Sequence, residues 1–174
     1  GGVGKSTVAA LFTEWFEHKG AAIKIIDGDP NQTFNTFALY RAQENRPIKQ
    51  SDSANCVTLV DTAGTSNSAI TWLQKADVVI TPFRPAFADL DLTVQWFQSL
   101  NSSLQRKVIF IPNMVGTAAE HKKGIIDVEK TIESVGVGAV LSHSFLKGRD
   151  AVYPEILKGL GQNFFNQGSR FKDA

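Results

Sequence analysis

The 174-residue sequence predicts an α/β fold, with a doubly wound and mostly parallel sheet and helices on both of its faces. Short apolar runs alternate with stretches in which apolar residues recur every three or four positions, as in strands joined by crossover helices. Polar motifs directly follow several of the apolar runs, which is typical of the carboxyl edge of a parallel sheet. A hydrophobic content of 43% at this length favours a single domain over residues 1–174.

The first predicted element is a helix whose apolar face points to the core and which Gly20 can end. That face comprises Val8, Leu11, Phe12, Trp15 and Phe16. Buried strands are predicted at residues 21–26 and 56–60, and an aspartate follows each of them.

The second half of the chain continues the alternation. Strands are predicted at residues 78–80, 108–111 and 139–141. A helix around Leu90 to Phe97 and another around Ile125 to Val135 separate them. Residues 41–55 are polar and have the weakest secondary-structure pattern.

Charge and cysteine content give no sign of a highly basic protein, of a disulfide-linked protein or of a membrane protein. The formal net charge is +1, so a nucleic-acid or membrane contact would need a local patch. The single cysteine, Cys56, cannot form an internal disulfide, which fits a reducing compartment. Since no apolar run reaches about 18 residues, we expect a cytoplasmic protein without stable membrane insertion.

The opening stretch GGVGKST is predicted to be a phosphate-binding loop. Glycines let the backbone aim its N–H groups inward, and the following helix adds the positive end of its dipole. The residues predicted to bind the phosphates are Gly1, Gly2, Val3, Gly4, Lys5, Ser6 and Thr7. Lys5 would reach the β- and γ-phosphates and Ser6 would ligate Mg²⁺. The alternative is a glycine-rich turn before a helix.

Three aspartates are candidates for the same site. Asp61 ends an apolar strand before Thr-Ala-Gly, where it could hold Mg²⁺ through a water. Asp27 and Asp29, in the stretch DGDPNQT, follow another strand, and one could orient the metal's water while the other orients the attacking water. An Asp-rich turn held by side-chain to main-chain bonds is the alternative for that stretch.

These motifs, together with VDTAG, IPNMV and the segment ADVVITPFRPAFADLDLT, resemble the deviant Walker A ATPases of the ParA and MinD type. The resemblance implies a homodimer that forms with ATP, and slow, Mg²⁺-dependent hydrolysis stimulated by a partner. It assigns catalysis to Asp29 and Lys5, and the metal site to Ser6, Asp27 and Asp61. Asn113 would lie near the adenine, unless it caps a turn instead.

The sequence departs from this family in three ways. The family's signature lysine would precede Gly1, and the family's first strand would precede the loop, so we expect residues 1–174 to be an N-terminally truncated part of a longer protein. The segment between Asp29 and Asp61 is short for the family, whose members usually fit another strand and helix there.

The surroundings of these motifs favour one branch of the family. Members that carry iron–sulphur clusters need paired cysteines. Cys56 alone cannot supply them, so that branch is disfavoured. A basic patch would let the dimer bind DNA without sequence preference, as in plasmid or chromosome partition with a DNA-binding adaptor of ParB type. Its candidate residues are Lys147, Arg149, Lys158, Arg170 and Lys172. The protein would then be nucleoid-associated.

Other functions on the same fold stay open. They are conjugative DNA transfer, MinD-like membrane positioning, an ATP-dependent metabolic enzyme such as an amidase or ligase, and a scaffold that does not hydrolyse ATP. The glycines and polar residues of positions 156–174 disfavour a membrane anchor.

Overall fold

The computed structural model describes residues 2–64, 67–117, 119–135, 138–142, 144, 146 and 156–158. Apart from one pair of consecutive helices, helices and strands alternate along this part of the chain, as predicted. In chain order they are α1 (Lys5–His18), β1 (Ile23–Gly28), α2 (Thr33–Gln43), β2 (Val57–Thr62), α3 (Asn67–Lys75), β3 (Val79–Phe83), α4 (Phe87–Ser99), α5 (Ser102–Gln105), β4 (Val108–Pro112), α6 (Ala119–Val135) and β5 (Val140–Leu141).

The chain groups into two compact units. The first unit has the boundaries Lys5–Ala69 and Arg149–Ala174, and the second has Gly1–Gly4 and Ile70–Gly148. Each unit contains a parallel sheet. In the first, β1 pairs with β2, and in the second the strand order is β3-β4-β5. The prediction of an α/β fold with parallel strands is confirmed.

In the first unit, aromatic residues of α2 and aliphatic residues of β1 form the core. Phe34 and Phe37 are fully buried and their rings stack at 6.1 Å, while Ile23 and Ile25 point inward from the strand. The helix α2 was not predicted, because Phe34 and Phe37 are its only large buried apolar residues and Leu39 lies exposed.

The predicted apolar face of α1 is only partly correct. Val8 and Leu11 are buried, but Trp15 is 39% exposed and Glu14 lies buried in its place. Arg41 and Arg46 form ion pairs with Glu14 at this buried position, while Phe12 and Phe16 of the predicted face are half-buried. Strand β2 is also less buried than predicted, since it pairs with β1 on one edge only among the described residues.

The core of the second unit is built on phenylalanines of the sheet and of α4. Phe110 meets Phe83 and Phe97 edge-on, with ring centroids 6.2 and 5.1 Å apart. Helix α6 packs so closely on the segment before α4 that a methyl group at Gly124 would overlap the carbonyl oxygen of Pro85. That contact fixes the chain as it leaves the carboxyl end of β3.

Within the described part of the chain, none of the helices has both the length and the apolar character that crossing a membrane requires.

Candidate functional site

The glycines at the start of the chain have backbone conformations that suit glycine. Gly2 has a φ of 96° and Gly4 a φ of 87°, in a region that other residues adopt only with strain. The tight backbone turn predicted for this loop is present at both positions. Gly1 lies outside the described residues.

The first turn of α1 meets the end of β2. The Ser6 hydroxyl donates a hydrogen bond of 2.5 Å to Oδ2 of Asp61. The ammonium of Lys5 lies close to the residues that follow β2, since a methyl group built at Gly64 would be 3.7 Å from Nζ of Lys5. Thr7 is buried one position further along the helix. The structure thus brings together the ammonium, the hydroxyl and the carboxylate of the two predicted motifs.

Asp61 is a buried carboxylate in an acidic neighbourhood. It is 2% exposed, and Asp27 is its register partner across the β1–β2 pair. Burial raises the pKa of Asp61, while the Ser6 hydrogen bond opposes that rise. The charge of Asp27 raises this pKa, that of Lys5 lowers it, and that of Asp29 raises it again. A cation beside these carboxylates would relieve the repulsion.

Asp27 and Asp29 also organise the turn that follows β1. Asp27 accepts hydrogen bonds from the N–H groups of Asp29 (3.0 Å) and Asn35 (2.9 Å). Asp29 accepts one from the N–H of Asn31 at 2.9 Å. The predicted alternative, an Asp-rich turn with side-chain to main-chain bonds, is therefore present. Such bonds fix the backbone without removing either carboxylate, so they do not oppose a role in water orientation.

Two residues that support this turn were missed in the sequence. Gln32 precedes α2 with a left-handed φ of 52°, and its Nε2 donates to the Asp29 carbonyl at 2.8 Å. Asn35, in the first turn of α2, supplies an N–H to Asp27. The spacing of Phe34 and Phe37 was the available indication of this helix.

Asn113 lies directly after β4 and is 1% exposed. Its Nδ2 donates to the carbonyl oxygen of Val3 at 2.8 Å, and its Oδ1 accepts from the Met114 N–H at 2.9 Å. The second of these bonds is the turn contact that was the alternative to adenine binding. A contact with adenine stays a prediction.

Comparison with known proteins identifies the family. A family model described as the CobQ/CobB/MinD/ParA nucleotide binding domain matches residues 1–160. The chain belongs to this family. It is also 29% identical to Protein ParA of Rhizobium radiobacter, in an alignment that covers 62% of this chain and 57% of that protein. The chain therefore spans little more than half the length of this relative.

Membership of the family confirms the resemblance to ParA and MinD, and with it a nucleotide-binding domain of the P-loop type. The residues at the junction of α1 and β2 also fit Mg²⁺. Ser6 and Asp61 offer hydroxyl and carboxylate oxygens, with Asp27 alongside. Mg²⁺ prefers oxygen ligands, keeps several waters and usually takes one or two carboxylates together with substrate phosphates.

Most of the predicted DNA-binding residues cannot be placed. Lys147, Arg149, Arg170 and Lys172 lie outside the described residues. Lys158 is described and exposed, at the end of a short helical segment. The patch therefore stays a prediction.

Proposed function

We propose that this chain is a ParA-like ATPase that acts as an ATP-dependent dimerisation switch. In the ATP-bound dimer it binds DNA without sequence preference, and hydrolysis releases it. Its role is the partition of a plasmid or chromosome, in the cytoplasm at the nucleoid, with a DNA-binding adaptor of ParB type. Because one family model covers residues 1–160, we treat both compact units as parts of one ATPase domain.

The observation that carries this proposal is the contact between Ser6 and Asp61. It joins the helix that follows the glycine loop to β2, which contains the first three residues of VDTAG, and Lys5 lies beside it. A hydroxyl, a buried carboxylate and an ammonium in this arrangement are the groups that P-loop enzymes use for a metal-bound triphosphate. Membership of a nucleotide-binding family supports the same conclusion.

Each residue then has a proposed role. Lys5 would bind the β- and γ-phosphates of ATP, and Ser6 would ligate Mg²⁺, with Asp61 and Asp27 holding waters of the metal. Bound there, Mg²⁺ would neutralise charge that develops on the phosphate oxygens. Asp29 would orient the attacking water, from a turn whose backbone is held by Asp27.

Replacing Asp29 tests the switch. In Asp29→Ala we expect ATP to bind, turnover to fall to a small fraction of the original rate, and the dimer to accumulate, because the nucleotide persists. ATPase assays and light scattering in the presence of ATP measure these effects. Asp52→Ala is the matched control, since Asp52 is an exposed carboxylate of the same unit that forms an ion pair with Lys24. An Asp29→Ala variant with normal ATPase activity would refute the assignment.

Salt dependence tests DNA binding. Contacts between lysines or arginines and phosphates release counterions, so affinity should fall steeply as salt is added, from typical non-specific Kd values of ~10⁻⁴ to 10⁻⁶ M. Lys158→Glu should weaken ATP-dependent DNA binding, whereas Lys49→Glu, an equal charge change at another exposed lysine, should not. DNA binding that is insensitive to salt, or equally weakened by both variants, would argue against the patch.

A further inference from the structure

The main chain of Asn113 is fixed to the sheet of the second unit. Its N–H donates to the carbonyl oxygen of Phe83 at the end of β3, over 2.8 Å. The residue follows Pro112, the last residue of β4, and it is almost completely buried. Its side chain is therefore attached to buried backbone that is hydrogen-bonded to the sheet.

The amide of Asn113 has two partners of opposite kind. It donates to the carbonyl of Val3 and accepts from the N–H of Met114. Only one orientation of the amide satisfies both, because its NH₂ group can only donate and its oxygen can only accept. Replacing either group would leave a buried polar atom without its partner.

The glycine loop lies against this amide at contact distance. A methyl group at Gly4 would overlap Nδ2 of Asn113 and lie 3.9 Å from Cε of Met114. Met114 itself has a left-handed φ of 54°, which is uncommon for a residue other than glycine. Strained backbone of this kind persists where surrounding contacts hold it, and it often marks functional sites.

The bond to Val3 fixes the direction of a neighbouring donor. The peptide group that joins Val3 to Gly4 is planar and trans, so its C=O and its N–H point in opposite directions. When Asn113 holds the Val3 oxygen on one side, the N–H of Gly4 must face the other side. That N–H is one of the loop donors predicted to bind phosphate.

We propose that Asn113 is a positioning residue for the phosphate-binding loop, which acts by holding the Val3–Gly4 peptide in the orientation that phosphate binding needs. The inference rests on the proposed nucleotide-binding function of the loop. It differs from the adenine contact that the resemblance implies. Here Asn113 affects the affinity for the phosphates, whichever base the nucleotide carries.

The test compares a ligand with a base and a ligand without one. Binding of Mg·ATP, Mg·GTP and the magnesium complex of inorganic tripolyphosphate is measured by calorimetry on the full chain and on Asn113→Ala and Asn113→Asp. The aspartate variant keeps the acceptor for Met114 and loses the donor to Val3. Asn101→Ala is the control, since Asn101 also bonds a main-chain N–H, at the start of α5 in the same unit.

We expect both Asn113 variants to bind ATP and tripolyphosphate about fivefold or more weakly, by the same factor, as the loss of one buried hydrogen bond would cause. The preference for ATP over GTP should not change, and Asn101→Ala should bind all three ligands normally. Weakening for ATP alone, with tripolyphosphate unaffected, would overturn the inference and leave nucleotide binding intact. An unsubstituted chain that binds none of the three would instead contradict the proposed function.

Discussion

The hydroxyl of Ser6 and the carboxylate of Asp61 are hydrogen-bonded over 2.5 Å, although 55 positions separate the two residues. Asp61 affects stability and metal binding more than Ser6 does, because it is a buried acid with other acids as neighbours. Its ionised form is costly in the absence of a cation. The same property makes it a good place for Mg²⁺.

We therefore predict that Asp61→Asn stabilises the ligand-free protein at neutral pH. Burial raises the pKa of Asp61 in the folded state, so the folded state holds this proton more tightly than the unfolded state does. The resulting stability is present below the unfolded pKa, about 3.9, and is lost as pH rises through the raised folded pKa. Thermal unfolding between pH 3 and pH 8 should show this loss in the original protein and a smaller one in the variant.

The same variant should bind Mg·ATP about 10- to 100-fold more weakly, as losing a group that orients metal-bound water does. Asp52→Asn is the control, because Asp52 is fully exposed and its partner Lys24 lowers its pKa instead. An Asp61→Asn protein that is less stable at neutral pH, or that binds Mg·ATP normally, would contradict this role.

The two described glycines of the loop should differ in their tolerance of alanine. Both have positive φ, which costs roughly 1–2 kcal/mol for a residue with a side chain. Among the described residues, a methyl group at Gly2 meets no atom within 4 Å, whereas one at Gly4 would overlap Asn113. We expect Gly4→Ala to impair ATP binding much more than Gly2→Ala does. Equal losses in nucleotide titrations of the two variants would show that the contact with Asn113 does not matter.

A buried ion cluster makes the first unit sensitive to the loss of one of its cations. The guanidinium of Arg41 is nearly buried, bonds to Glu17 and lies 3.5 Å from Glu14, while Arg46 bonds to the other oxygen of Glu14. Burial raises the pKa of Glu14 despite both arginines. Arg41→Met removes one partner of this buried acid and should lower the free energy of unfolding by about 3–5 kcal/mol.

Urea denaturation measures that loss, with Lys24→Met as the control in an exposed ion pair. The deficit of Arg41→Met should shrink in acid, where Glu14 becomes protonated and no longer needs a cation. A deficit that is constant from pH 4 to pH 8 would mean that packing, and not the charge of Glu14, causes it.

The sequence predicted the strands well for a physical reason. Parallel strands are rich in apolar residues because they are covered on both faces, so the runs that include Ile25 and Phe110 are recognisable without any partner. The burial of Glu14 was not predictable in this way. It depends on Arg41, which is 27 positions further along the chain and reaches it only after folding.

In the candidate site, too, residues of local motifs were predicted and contacts between distant parts of the chain were not. Lys5, Ser6 and Asp61 were identified because their motifs have fixed local spacing, and the structure brings them together. The link from Asn113 to Val3 spans 110 positions and has no local pattern. The sequence therefore suggested a turn cap or, through the family resemblance, an adenine contact for Asn113, and not a bond to Val3. The support that Gln32 gives to Asp29, and Asn35 to Asp27, was missed because helix α2 was missed.

Calorimetric titration of the full chain with ATP, with and without Mg²⁺, measures nucleotide binding itself. We expect Mg²⁺-dependent binding that weakens at least about tenfold in Lys5→Ala, because a charged group proposed to contact the phosphates is lost, and that is unchanged in Lys49→Ala. An unsubstituted chain that gives no heat with Mg·ATP, or a Lys5→Ala variant that binds it with undiminished affinity, would contradict the proposed function.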